Sequence, residues 1–399
     1  MKNKKQNKTT KRNMFLGCVI LGIGIMMFAS IIKTEYIPHR NPIDTQISQY
    51  SNKIITPNAI ASNPEFQKIT FDAVPQKKSY FFTNQIASVI KSIKTLGTNP
   101  TEPKQNTKEH GIWIWTPIMI MTPEYIESTL SQAQVNRVNT IYISIDTYLD
   151  VFVMPKGEKR EQAKKAFSDK LENFIVSANS RGIAVDAEAG WQNWAEEGNT
   201  YKAFAIVNYV KNFNNTRANK FRGFQYDVEP YLLASYEKNK SVVLKNFIQL
   251  IDQTENFMQD SSLKFSIVIP DFYDKEDQMT PKIAYNGKKD YTFKHLLNIL
   301  DRKPDSSIII MSYRSFAEGY DGSIEISNNE MQTAKNGKYN TQVVIAQETG
   351  DVMPPYITFH RTSKNYLSGQ ISKINKAFNS NPNFGGIAIH YVNAFLALK

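Results

Sequence analysis

Gln225, Asp227 and Glu229 occupy alternate positions in the segment Gly223-Phe224-Gln225-Tyr226-Asp227-Val228-Glu229-Pro230. Alternate side chains of an extended strand leave one face, so the spacing predicts an amide and two carboxyl groups side by side. Charged groups on the inner face of a strand need partners or a task, and two carboxylates this close repel until one of them holds a proton. That is acid and base equipment. Pro230 has no N–H to give to a ladder and ends the strand just past Glu229. The pair is then expected at the C-terminal tip of its strand, where parallel α/β barrels carry their chemistry. A satisfied ion-pair network inside a barrel explains the same residues without chemistry, and the segment alone leaves both readings open.

The elements that must position this segment show in the hydrophobic pattern. From Gly111 onward, short apolar or β-branched runs at 111–115, 139–146, 182–188, 221–229, 264–270, 306–313, 341–348 and 385–391 alternate with helical stretches. Helix signals separate them, such as Thr122-Pro123-Glu124 at one start and Gly182 closing the stretch from Lys159 to Arg181. Nearly continuous apolar strands separated by helices argue a parallel sheet covered on both faces. Eight such units predict an α/β fold of the (β/α)8 type. An open doubly wound sheet is the rival, but no run is followed by a Gly-rich phosphate loop. Only Val392 to Lys399 follow the last run, too few for a full eighth helix. Ile86, Val89, Ile90 and Ile93 mark an amphipathic helix at about 84–96, which is expected to dock on the wall so left open.

Polar residues gather at the predicted C-terminal tips of these runs. They are Asp146, then Asp186 and Glu188 followed by Trp191 and Trp194, then Asp227 and Glu229, Asp271 and Tyr273, Tyr313 and Arg314, Gln347 and Glu348, and finally His390 and Tyr391. A carboxylate-rich rim with aromatics suits carbohydrate, whose apolar faces stack on indoles while its hydroxyls bond acids and amides. Gln225, Asp186, Glu188, Trp191, Trp194, Asp146, Asp271, Arg314, His390 and Tyr391 are therefore the expected substrate contacts. Trp113 and Trp115 alternate on the first run and read as core filling. An ion pair of Glu348 with Arg314 would make Glu348 scaffolding.

GFQYDVEP resembles the fourth-strand signature of the chitinase-type glycoside hydrolases (family 18), Asp-x-x-Asp-x-Asp-x-Glu, whose last two acids are matched by Asp227 and Glu229. Met311-Ser312-Tyr313 resembles that family's sixth-strand Met-x-Tyr-Asp. The resemblance implies Glu229 as general acid, Asp227 orienting the substrate's own acetamido group, and Tyr313 bonding that group. Arg222 and Gln225 stand in place of the first two Asp residues, and Arg314 in place of the Asp after the Tyr. The placement of Glu229 and Glu348 also resembles the large retaining clan of barrel glycosidases, which carries an acid/base Glu on strand four and a nucleophile Glu on strand seven. The Asn that precedes the acid there is Val228 here. That second resemblance implies Glu348 as the catalytic partner. The whole chain further resembles membrane-anchored bacterial barrel proteins related to surface-polysaccharide hydrolases.

Charge and topology complete the expectation. The net charge of +11 is uneven, because residues 1–33 carry seven lysines and arginines and no acid, leaving +4 for the rest. Basicity of this kind is a topology signal, and no nucleic-acid partner is expected. Met14 to Ile32 is an uncharged apolar run of 19 residues, about 28 Å as a helix, enough to cross a bilayer core. The positive-inside rule then predicts a cytoplasmic tail at 1–13, a transmembrane anchor at 14–32, an extracellular linker at 33–110 and an extracellular barrel at 111–399. Cys18, the sole cysteine, falls in the apolar run, so no disulfide is expected in the exported part. The leading reading is a membrane-anchored extracellular glycosidase acting on an envelope or extracellular polysaccharide, with no cofactor and no metal. Two alternatives stay open: a non-catalytic glycan-binding or scaffold barrel, and a metal-dependent hydrolase using Asp146, Asp186, Glu188, Asp227 and Glu229 as oxygen ligands. Five histidines without His-x-His or His-Glu-x-x-His spacing argue against zinc.

Overall fold

The computed structural model describes residues 108–277 and 279–399. Its strands are β1 (Glu109–Ile114), β2 (Thr140–Ser144), β3 (Ala184–Ala189), β4 (Gly223–Tyr226), β5 (Lys264–Pro270), β6 (Ile283–Tyr285), β7 (Lys288–Asp290), β8 (Ser307–Met311), β9 (Gln342–Glu348) and β10 (Phe384–His390). Eight of them close into a barrel in the order β1-β10-β9-β8-β5-β4-β3-β2. Every pair in it is parallel. All eight predicted runs are present, with the barrel starting two residues ahead of the expected 111.

The sequence reading missed the antiparallel β6–β7 hairpin. Its turn is Asn286-Gly287, both at positive φ (46° and 76°), as the two-residue hairpin turn requires. That dipeptide was visible, but Lys288-Lys289-Asp290 beside it shows no apolar alternation.

The helices are α1 (Pro123–Val135), α2 (Tyr148–Phe152), α3 (Glu158–Asn179), α4 (Thr200–Thr216), α5 (Tyr236–Met258), α6 (Thr292–Leu300), α7 (Ser323–Ile326), α8 (Asn328–Asn336), α9 (Lys364–Phe378) and α10 (Val392–Ala397). Thr122 caps α1, its side chain accepting from the Tyr125 N–H, and Pro123 needs no such partner. Ser363 caps α9 in the same way through Tyr366. Gly182, at φ 73°, turns the chain from α3 into β3. The stretches read as tail, membrane span, linker and amphipathic helix lie outside the described residues, up to 107. No helix among the described residues is long and apolar enough to cross a membrane. On the wall by β1 and β10, it is α10 that packs against both strands.

Trp113, Tyr142, Val268, Ile309, Val344, Ala346 and Ala388 form one buried cluster inside the barrel. The alternate residues, among them Ile112, Ile141, Ile143 and Ile387, face the helices and are at most 2% exposed. Burying each such side chain contributes roughly 1.5–3 kcal/mol, which is why strands apolar on both faces settle into this architecture.

The N-terminal end of the barrel is closed by charge. Arg222 donates through Nε to Asp186 (2.9 Å), and through its two terminal nitrogens to Thr140 (3.0 Å), Glu109 (3.1 Å) and Asp186 again (2.5 Å). Tyr142 donates to the other Glu109 oxygen. Burial disfavours the guanidinium charge, yet Asp186 and Glu109 outweigh it and hold the Arg222 pKa above its ordinary range. Burial pushes Glu109 the other way, above the usual carboxylate range, against the pull of Arg222.

Candidate active site

The decisive local event is the early end of β4 at Tyr226. The Asp227 N–H still bonds the Ala189 carbonyl on β3 (3.1 Å). Glu229 then leaves extended geometry (φ −112°, ψ 72°), and Pro230–Leu232 form a 3-10 turn. Asp227 and Glu229 therefore stand beyond the strand end, each 6% exposed. Gln225 stays inside the barrel. It is fully buried, accepting from Trp113 Nε1 (2.7 Å) and donating to Ser266 (3.3 Å). The expectation of one three-residue stripe facing substrate is corrected: Gln225 ties β1, β4 and β5 together, and the two acids belong to the mouth.

Gly190 makes the arrangement of Asp227 possible. A Cβ at Gly190 would lie 1.8 Å from the Asp227 carbonyl oxygen, so only glycine lets the end of β3 press on that backbone. The Gly190 N–H donates to Asp146 Oδ1 (3.2 Å), which places Asp146 as a brace for the same turn.

Around the pair, hydroxyls converge. Tyr231 donates to Glu229 Oε1. Burial, then the charge of Glu229, pushes the Tyr231 phenol well above its ordinary range. Tyr313, partly exposed at the end of β8, is raised likewise, by burial first and then by Glu348, Asp227 and Glu229. Those three carboxylates thus act on a single phenol, which stays a hydroxyl and a hydrogen-bond donor at any physiological pH. Tyr273, 1% exposed, lies beside Tyr231 with ring centroids 6.4 Å apart.

Glu348 has a different setting. It is fully buried, and both of its oxygens are engaged. Oε1 accepts from the Gly350 N–H (2.6 Å), and Oε2 lies 2.7 Å from His390 Nδ1. The other imidazole nitrogen, Nε2, accepts from Trp115 Nε1 (3.0 Å). The ion pair with Arg314 that would have made Glu348 scaffolding is not formed. Arg314 donates to Asp321 (2.8 Å) and to the Tyr313 carbonyl (2.8 Å), lies 3.7 Å from Asp271, and stacks over Tyr356.

Other expected substrate contacts are also reassigned. Asp186 belongs to the ion cluster at the closed end of the barrel, and Glu188, fully buried and in register with Gln225, belongs to the barrel interior. Trp194 is 1% exposed and meets Tyr226 edge-on, so it fills the core. Arg314, 5% exposed, serves its own loop. Asp271 is raised above the usual carboxylate range by burial, with Arg314 opposing. Trp191 remains partly exposed ahead of the 3-10 turn Gln192–Ala195. His390 is partly exposed, and Tyr391 packs edge-on against it (5.0 Å). Among the described residues no three or more His, Cys, Asp or Glu are placed to hold a metal ion, and the five acids considered for a cation are spread along the barrel, Asp186 at the closed end, Glu188 in the interior, and Asp146, Asp227 and Glu229 at the mouth. Tyr231, Gly190 and a mouth position for Trp115 went unread in the sequence. Only the aromatic two residues past Glu229 offered a local signal.

No protein-family model matches the chain, and no characterised protein matches it in sequence. Solved structures do resemble it. The spore cortex-lytic enzyme SleL of Bacillus megaterium QM B1551 is 12% identical, with 74% of this chain and 74% of that one covered and a TM-score of 0.42. A chitinase from Chromobacterium violaceum ATCC 12472 is 12% identical, with 73% and 100% covered and a TM-score of 0.42. A GH5_18 protein from Bifidobacterium longum subsp. longum ATCC 55813, in complex with Manβ1-4GlcNAc, is 13% identical, with 70% and 68% covered and a TM-score of 0.47.

Proposed function

We propose that this protein is a glycoside hydrolase in which Glu229 is the general acid and Asp227 its partner. The observation that carries the reading is the placing of Asp227 and Glu229 just past the end of β4, each 6% exposed, where the charge of both is felt by the Tyr313 phenol. Glu348 fits the role of nucleophile less well, because both of its oxygens are hydrogen-bonded and it has no exposed surface. The geometry thus favours the substrate-assisted course. Glu229 gives its proton to the glycosidic oxygen as the C1–O bond breaks, and the acetamido oxygen of the substrate closes onto C1. Asp227 holds the acetamido N–H, and Tyr313 donates to the same group. Water then opens the ring intermediate and returns a proton to Glu229, restoring the enzyme. A substrate bearing N-acetylhexosamine follows from this chemistry.

The apolar run Met14 to Ile32 with its basic flank supports a single-pass anchor, a cytoplasmic N-terminus and an extracellular barrel, which would hold the enzyme beside an envelope or extracellular polysaccharide. The test is reducing-end release by the purified full-length protein from a panel of bacterial surface polysaccharides, including β-linked N-acetylhexosamine polymers. Glu229→Gln is expected to abolish it. No release from any polymer by the wild type, with glycan binding retained in both proteins, would favour a binding barrel instead.

A further inference from the structure

Trp115 just past the end of β1, His390 on β10 and Glu348 on β9 form a chain of hydrogen bonds whose direction is fixed by chemistry. An indole N–H donates and never accepts. The Trp115 bond to Nε2 (3.0 Å) therefore requires that nitrogen to be bare, and the imidazole proton belongs on Nδ1. From there it points at Glu348 Oε2 (2.7 Å), whose other oxygen already accepts from Gly350 (2.6 Å). Every donor meets an acceptor in one arrangement only: neutral His390 with the Nδ1–H tautomer, and Glu348 as a carboxylate.

We infer that Glu348 and His390 are positioning residues, and that what they position is the indole of Trp115, as a stacking platform for a sugar ring beside the acids. Trp115 and His390 are both partly exposed, whereas Glu348 beneath them is fully buried. Trp113, one strand step earlier, is 1% exposed and is spent on Gln225. The indole of Trp115 meets the His390 ring edge-on (5.6 Å, 62°), and Tyr313 lies tilted against the same ring (6.1 Å). The platform thus shares a wall with the phenol on which Asp227 and Glu229 act. An indole held at its N–H keeps one plane, and apolar sugar faces stack on such planes.

This inference rests on the proposed hydrolase only for its kinetic readout. Full-length protein labelled with 15N-histidine reports the tautomer directly, with His390→Phe identifying the signal among five histidines. The wild type is expected to show Nδ1–H. In Glu348→Gln, the amide can present an N–H to Nδ1, which moves the ring proton to Nε2, where it opposes the Trp115 N–H. That variant is expected to show Nε2–H.

In isothermal titration with a β-1,4-linked N-acetylglucosamine tetramer, Trp115→Ala is expected to raise Kd about tenfold or more, as loss of a stacking face does. Trp115→Phe and Glu348→Gln should raise Kd by a smaller factor. On a cleaved polymer, Glu348→Gln should raise KM and leave kcat within about tenfold. An Nε2–H signal in the wild type would overturn the inference. So would a thousandfold loss of kcat in Glu348→Gln at unchanged KM, or unchanged tetramer binding in Trp115→Ala. Absent hydrolysis with the expected tautomer and binding would end the hydrolase reading and leave this one standing.

Discussion

Gly190→Ala tests the link between fold and chemistry most directly, because it adds one methyl group where a backbone passes. The new Cβ would meet the Asp227 carbonyl oxygen at 1.8 Å, whereas ordinary contact begins at 3.4 Å. The end of β3 and the segment carrying the acids must therefore separate by about 1.6 Å, the difference between those distances. Such a shift also breaks the bond from the Asp227 N–H to Ala189 (3.1 Å), worth roughly 0.5–1.5 kcal/mol, and disturbs the Asp146 brace (3.2 Å). Overpacking of this kind costs about 1–3 kcal/mol in stability. A displacement of about 1 Å at reacting groups costs on the order of 100-fold in rate.

The assay is reducing-end release, with thermal unfolding run alongside. The expected result is a kcat/KM lower by two orders of magnitude in a protein that still folds. Gly369→Ala is the control, since its Cβ meets nothing within 4 Å inside α9, and it should be neutral or stabilising by about 0.5–1 kcal/mol. Wild-type activity in Gly190→Ala would refute the argument that this close approach sets the position of Asp227.

Arg222→Met should destabilise the protein by about 3 kcal/mol in urea unfolding, because it strands Asp186 (side chain 4% exposed) and Glu109 (16% exposed) without their shared cation. At temperatures well below unfolding it should alter kcat little, since the cluster lies at the end of the barrel away from the acids; a gain in stability would contradict it. Glu330, on α8, is pushed well above its ordinary value of 4.5 by burial and then by Asp274 and Asp271. Its folded pKa is raised, so its contribution to stability is fully present below the unfolded value and is lost as pH rises through the folded one. Glu330→Gln keeps the neutral form at every pH. Its melting temperature should gain on the wild type progressively above about pH 4.5, and a difference that shrinks with pH would show the sign to be wrong.

The strands and helices of the barrel were legible because their signals are local. Period-two and near-continuous apolar runs need only neighbouring residues, and so does the cap at Thr122. The sequence likewise marked Asp227 and Glu229, since Pro230 follows them and no strand continues through it, although β4 ends earlier still, at Tyr226. Depth along the barrel axis was not local. Asp186, Glu188 and Asp227 all looked like tip residues, yet β3–β4 register sets Asp186 against Gly223 and Glu188 against Gln225, which leaves Asp186 at the closed end and Glu188 in the interior.

The partners of Glu348 were beyond any sequence reading. Trp115 and His390 are 275 residues apart, and they meet only because β1 pairs with β10 to close the barrel. Which residues are polar, and on which strand, was determined by the chain. Which of them face a sugar, an ion partner or the core was decided by closure and register, because those depend on pairings that no local pattern encodes.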